Sequence, residues 1–91
     1  MASKAPPGTF KILYFSSATT ITKKDSEFLP APLALGKLFD TLDENYSGIK
    51  AKVLGSCMVT VNLEYVDIEE DAERELKEGD EVGIIPPVSS G

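Results

Sequence analysis

Few residues in this chain have the types or spacing that chemistry needs, and the best of them stand at its end. The last thirteen read Gly79-Asp-Glu-Val-Gly-Ile-Ile-Pro-Pro-Val-Ser-Ser-Gly91. Gly79-Asp80 is a turn signal, and Glu81 to Ile85 then reads as a strand rich in β-branched residues. Pro86-Pro87 stops that strand, because neither proline can donate to a sheet ladder. From Pro86 to Gly91 the chain can reach roughly 20 Å, at about 3.3–3.6 Å per residue. Two readings follow: a frayed end, or an arm that presents a terminal carboxylate to another molecule.

The other candidates are weaker. Cys57 is the only cysteine and there is no histidine. A thiol nucleophile or metal ligand needs partners that lower its pKa or complete the coordination, so Cys57 reads as structural. Glu69, Glu70 and Asp71 are consecutive, whereas paired acid–base work needs carboxylates that converge in a cleft. Phosphate loops, dinucleotide loops and zinc-binding spacings are all absent. A single cysteine also excludes an iron–sulfur cluster. The body of the chain is therefore not expected to be catalytic alone, and no stably bound cofactor or metal is expected.

The totals agree with a small domain that bears such an arm. Ninety-one residues with 42% hydrophobic and 26% charged content suit one small globular domain. Fifteen acidic residues against nine basic ones give a formal charge of −6. Such a surface disfavours nucleic acid and acidic membranes and is steered toward basic partners. No apolar run approaches the length of a membrane span. The first residues lack the apolar stretch of a secretory signal, and nothing requires an oxidising compartment, so the cytosol is expected.

Positioning the arm requires a fold. Residues 1–9 read as a flexible lead-in, 10–85 as the folded domain, and 86–91 as an extended tail. Phe10 to Phe15 is the first strand, with Phe10, Ile12 and Tyr14 on one face and Lys11, Leu13 and Phe15 on the wetter one. Ser16 to Lys24 reads as a polar, irregular connection, and Asp25 to Leu29 as a strand that pairs back. Leu35, Leu38, Phe39 and Leu42 fall at helical spacing, predicting a helix from Leu33 to about Tyr46 that ends at Ser47-Gly48. A short helical turn follows over Ile49 to Leu54. Cys57 to Asn62 is a strand with Val59 and Val61 on one face and Met58, Thr60 and Asn62 on the other, and Leu63 to Val66 a tight turn and short return strand. The acidic stretch from Asp67 to Glu73 reads as a solvated segment that Leu76 anchors to the core. One main helix on a mixed sheet of four to five strands, first and last side by side, is an α+β roll of the β-grasp, ubiquitin-like plan.

Within that plan, Val61-Asn-Leu-Glu-Tyr-Val66 and the stretch from Leu76 through Gly-Asp-Glu-Val and Pro-Pro-Val to Gly91 resemble the small, sulfur carrier subunit family of molybdopterin synthase. Sulfur carriers for thiamine and for tRNA thiolation share the plan and the terminal glycine, and they stay as alternatives, as does a non-catalytic ubiquitin-like binding module. The resemblance implies that an E1-like enzyme uses ATP to adenylate the Gly91 carboxylate. Sulfur then replaces the adenylate to give a thiocarboxylate, which the large synthase subunit uses on cyclic pyranopterin monophosphate to build a dithiolene. It further implies that Pro86, Pro87, Val88, Ser89 and Ser90 enter the partners' channels, and that Phe15, Tyr65 and Ile85 pack against those partners. A large-subunit dimer with one carrier at each end is the assembly implied. By alternation from Glu81, Ile85 is expected to be exposed beside the tail. One departure stands out. The family usually ends in Gly-Gly, whereas this chain has Ser90-Gly91, which adds a Cβ and a hydroxyl next to the reacting carbon and restricts positive φ there.

Overall fold

Alternating apolar residues fix the central strands. The structure, a computed structural model, describes residues 5–52 and 54–87. Strand β1, Thr9–Tyr14, buries Phe10, Ile12 and Tyr14 on one face. It pairs antiparallel with β2, Ser26–Pro30. On its other side it pairs in parallel with the last strand, β7, Glu81–Ile85, which buries Val82 and Ile84. Strand β4, Met58–Val61, runs antiparallel to β7 with Val59 and Val61 inward, and β5, Glu64–Val66, closes that edge. The five-stranded order is β2-β1-β7-β4-β5, so the first and last strands of the chain lie side by side, as the sequence predicts, and at the centre of the sheet.

The inner face of this sheet is covered by helix α2, Leu38–Asn45, through Leu38 and Leu42. Leu35, Ile49 and Leu54 complete the same core with no exposed surface or almost none. The helix starts later than its apolar spacing predicts. Leu33–Ala34 instead forms a short strand, β3, paired with β6, Glu75–Leu76, and Leu35–Lys37 is a 3-10 turn. The backbone N–H of Leu35 donates to the Arg74 carbonyl at 2.7 Å, and that of Gly36 to the Ala72 carbonyl at 3.0 Å. Those donors are committed to the neighbouring acidic loop, which explains the delay. Gly36 permits the approach: a Cβ there would lie 2.8 Å from the Ala72 Cβ. Leu76 is fully buried, anchoring the far end of that loop as its sequence position predicts.

The connection after β1 is not irregular. Ser17–Thr22 forms a helix, α1, and Ile49–Lys52 a shorter one, α3. Three threonines argue against a helix by propensity. Here Ala18 and Thr22 are buried, the Thr22 hydroxyl donates to the Ala18 carbonyl, and that of Thr19 donates to the Tyr14 carbonyl. Packing and side-chain bonding override the local preference. No helix among the described residues is long and apolar enough to cross a membrane.

A polar cluster ties the β2 edge to the helical layer. The hydroxyls of Tyr14 and Tyr46 both donate to Glu27 Oε2, at 2.5 and 2.6 Å, and Lys24 Nζ lies 3.4 Å from Oε1. Burial works to raise the Glu27 pKa, but the two tyrosine hydroxyls and the Lys24 charge outweigh it and hold the carboxyl below its ordinary value. A depressed carboxylate stabilises the fold above its unfolded pKa and loses that contribution as pH falls through the folded one. Glu27→Gln should therefore cost about 2 kcal/mol at neutral pH, the scale of hydrogen bonds to a charged group. The cost should shrink well below pH ~4.3, the ordinary glutamate value. Urea unfolding of both proteins at neutral and acid pH measures it.

Candidate functional site

The outer face of the sheet is built by the other half of each alternation. Register places Leu13 beside Gly83, Gly83 beside Thr60, and Thr60 beside Tyr65, one row across four strands. Phe15 and Ile85 lie one step further on, with Met58 directly opposite Ile85. Phe15 is 45% exposed, Met58 53% and Tyr65 68%. Phe15 and Tyr65 belong to a depression of about 230 Å³ lined by Leu13, Phe15, Thr60, Leu63, Tyr65, Glu81, Gly83 and Ile85. The structure thus brings Phe15, Tyr65 and Ile85, singled out from sequence, to one site. Ile85 departs from expectation in one respect, being half-buried instead of exposed. Met58 lies directly opposite it on the adjacent strand, and alternation along a single strand carries no information about such a neighbour.

Of the five lining residues that sequence reading did not single out, Gly83 and Leu63 shape the site most. Gly83 is buried although it faces outward, and a Cβ there would lie 2.6 Å from the Thr60 hydroxyl and 3.7 Å from the Phe15 ring. Its missing side chain is what makes the floor of the depression. A glycine inside a β-branched strand is the signal that marks such close approach. Leu63 is 87% exposed, and both it and Asn62 have positive φ, at 72° and 51°. This is the backbone of a tight hairpin turn, which asparagine tolerates and a bulky leucine does not. Asn62 holds the turn in place. Its backbone N–H donates to the Glu81 carbonyl at 2.7 Å, its side-chain amide to Asp80 at 3.1 Å, and its Oδ1 accepts from the Glu81 N–H at 3.0 Å. An outward-facing leucine held in an unfavourable conformation at the rim of an apolar depression is a feature that packing of the core does not require.

The arm leaves from the edge of this site. Pro86, the first residue after β7, is buried, and Pro87 is exposed. Val88, Ser89, Ser90 and Gly91, on which the sequence reading puts the tail's chemistry, lie outside the described residues. Cys57 is half-buried, and burial pushes its thiol up to about 11, so it stays protonated at neutral pH. That is the opposite of what a nucleophile needs. The acidic run is structural at two points: Asp67 Oδ1 accepts the backbone N–H groups of Glu69 and Glu70, bonds that lower its pKa, and Asp71 Oδ2 accepts the backbone N–H of Asp67. Among the described residues no cluster of acidic or cysteine side chains has the arrangement to hold a metal ion.

The chain is similar to known proteins in sequence and fold. The ThiS family pattern matches residues 12–91. A protein of Phaeosphaeria nodorum described as a molybdopterin synthase sulfur carrier subunit is 64% identical over the full length of both chains. Among solved structures, a protein of Pyrococcus furiosus described as a putative molybdopterin converting factor, subunit 1, superposes with a TM-score of 0.73 at 26% identity, over 88% of this chain and 98% of its own. A complex of subunits 1 and 2 of molybdopterin-converting factor from Helicobacter pylori contains a chain that matches with a TM-score of 0.63 at 26% identity, covering 91% of this chain and 99% of that one.

Proposed function

Because the chain belongs to the ThiS family, we propose that it is the sulfur carrier subunit of a molybdopterin synthase, with the Gly91 carboxylate as the group that carries sulfur. The observation that carries the reading is the full-length, 64% likeness to a protein of that description. The apolar depression at the root of the tail supports it, as a face on which a partner can seat while it takes in the arm.

The chemistry follows from the weakness of a carboxylate as an acyl donor. In the reading proposed here an E1-like enzyme transfers AMP from ATP to the Gly91 carboxylate with loss of pyrophosphate. The resulting acyl-adenylate has a good leaving group, and a sulfur nucleophile displaces AMP to leave a thiocarboxylate. The large synthase subunit then receives the arm and directs its sulfur to cyclic pyranopterin monophosphate. Two charged carriers are consumed for each dithiolene, and each leaves as carboxylate. Glycine at the reacting end offers no Cβ to hinder attack or passage down a narrow channel. Pro86-Pro87 stiffens the base of the arm and lowers the entropy lost on insertion. ATP and the pterin phosphate need cations, which an acidic carrier leaves to its partners. The assembly proposed is a large-subunit dimer with one carrier at each end, working in the cytosol.

The decisive experiment mixes the protein, after incubation with an E1-like activating enzyme, ATP and a sulfur donor, with large subunit and cyclic pyranopterin monophosphate. Formation of molybdopterin is expected. A charged protein that produces none, under conditions where an authentic carrier does, would leave a carrier of another pathway. A protein that never charges would leave a non-catalytic binding module.

A further inference from the structure

A second groove lies around the corner of β5 from the sheet face. It encloses about 610 Å³, and Phe39 of α2, Met58, and Ile68 give it an apolar wall. Tyr65 lines both this groove and the outer-face depression, so the two are continuous across one side chain. Asp67 and Glu69 form an acidic rim, and Lys50, the one cation among the described lining residues, is paired with Asp40.

Two further observations say what should cover it. The first is the direction of the arm. Ile85 is paired with Met58 in an antiparallel ladder, so the chain leaves β7 toward Cys57, and both Met58 and Cys57 line the groove. A partner that swallows the tail must therefore bring the mouth of its channel over that end of the groove. The second is charge. The groove's charged lining is Asp67, Glu69 and Lys50, and the lysine is already paired with Asp40, which leaves two carboxylates to meet a partner. A channel that leads to a phosphate-bearing pterin must carry cations, and such cations meet this rim with complementary sign.

We infer that the groove docks the basic rim of the large subunit's tail channel, taking an arginine or lysine whose aliphatic stem lies on Phe39, Met58 and Ile68 while its charged head meets Asp67 and Glu69. The inference rests on the carrier reading above. Long basic side chains are suited to it, because their methylenes cover apolar surface while the head stays at a polar edge. The arrangement gives the complex a second anchor, separate from the sheet face, that fixes the direction from which the arm enters.

Glu69→Lys is the test, since Glu69 is exposed and only its backbone N–H holds the loop. Binding of the full-length protein to purified large subunit is titrated at low and high ionic strength. Glu69→Lys should raise Kd about tenfold at low salt, with the difference closing at high salt. Glu44→Lys makes the same charge change on an exposed position of α2 that does not line the groove, and should stay within about twofold. Equal effects of the two substitutions would overturn the inference. So would a Glu69→Lys protein that binds the large subunit normally but is charged slowly by the activating enzyme, which would assign the groove to that enzyme. Failure of the unsubstituted protein to bind large subunit at all would instead strike the carrier reading itself.

Discussion

Deleting Gly91 should abolish sulfur acceptance while leaving the fold intact. Incubated with an E1-like enzyme, ATP and a sulfur donor, the full chain is expected to gain the mass difference between sulfur and oxygen, and the shortened chain to gain nothing. The loss should be complete, because the deletion moves the carboxylate back onto Ser90. The new end sits one residue, about 3.3–3.6 Å, short of the reacting position, and misplacement by even 1 Å costs enzymes on the order of a hundredfold. Thermal unfolding should be unchanged, since the deleted residue follows the exposed Pro87 and all the core residues precede it. A shortened chain that still charged at the normal rate would remove Gly91 from the mechanism. Ser90→Gly belongs in the same experiment as the variant that restores the Gly-Gly ending. A faster rate than the unsubstituted chain would identify the serine as a brake.

Loss of Tyr65 should weaken the complex with the large subunit more than any other single change on the sheet face. Its ring is 68% exposed, so the folded monomer gains little from burying it. It stands between the two depressions, where an arriving surface would cover it completely. Central aromatic anchors of this kind cost about 2 kcal/mol or more on truncation, which is roughly thirtyfold in Kd. Tyr65→Ala should show that loss by calorimetric titration while melting within a few degrees of the unsubstituted protein. Phe15→Ala should move affinity in the same direction, with a larger cost in stability because its ring lies over Gly83. An unchanged Kd for both folded variants would place the docking surface elsewhere.

What could be read from the sequence was whatever depends on neighbours along the chain. Period-two alternation located the inward residues of β1 and β7 and separated the two faces of β4, and Leu35, Leu38 and Leu42 at helical spacing located the covering layer. Gly79, at φ 85°, marked the last turn correctly. What stayed hidden depends on neighbours across space. Helix α1 exists because Ala18 and Thr22 find a place in the core, which the threonine-rich segment does not announce. The bonds from Tyr14 and Tyr46 to Glu27 span thirteen and nineteen residues. Gly83 reads as one more strand residue until Phe15 and Thr60 close over it. The candidate site was half legible for the same reason: its apolar rim alternates along strands, whereas its floor and the strained Leu63 turn arise where three strands and a hairpin meet.

The parallel pairing of β1 with β7 at the centre of the sheet has a consequence for how copies of this protein are made. Five residues before the tail, the chain supplies the strand that joins β1 to β4. Until that strand has been synthesised, the two halves of the sheet have no shared partner, and closure waits on contacts of the highest sequence separation. A ribosome that stops early therefore releases a chain that cannot close its sheet and is exposed to proteolysis. Every copy that does fold has already been translated through Ile85. Folding thus depends on β7, the strand from which the arm that is proposed to carry sulfur departs.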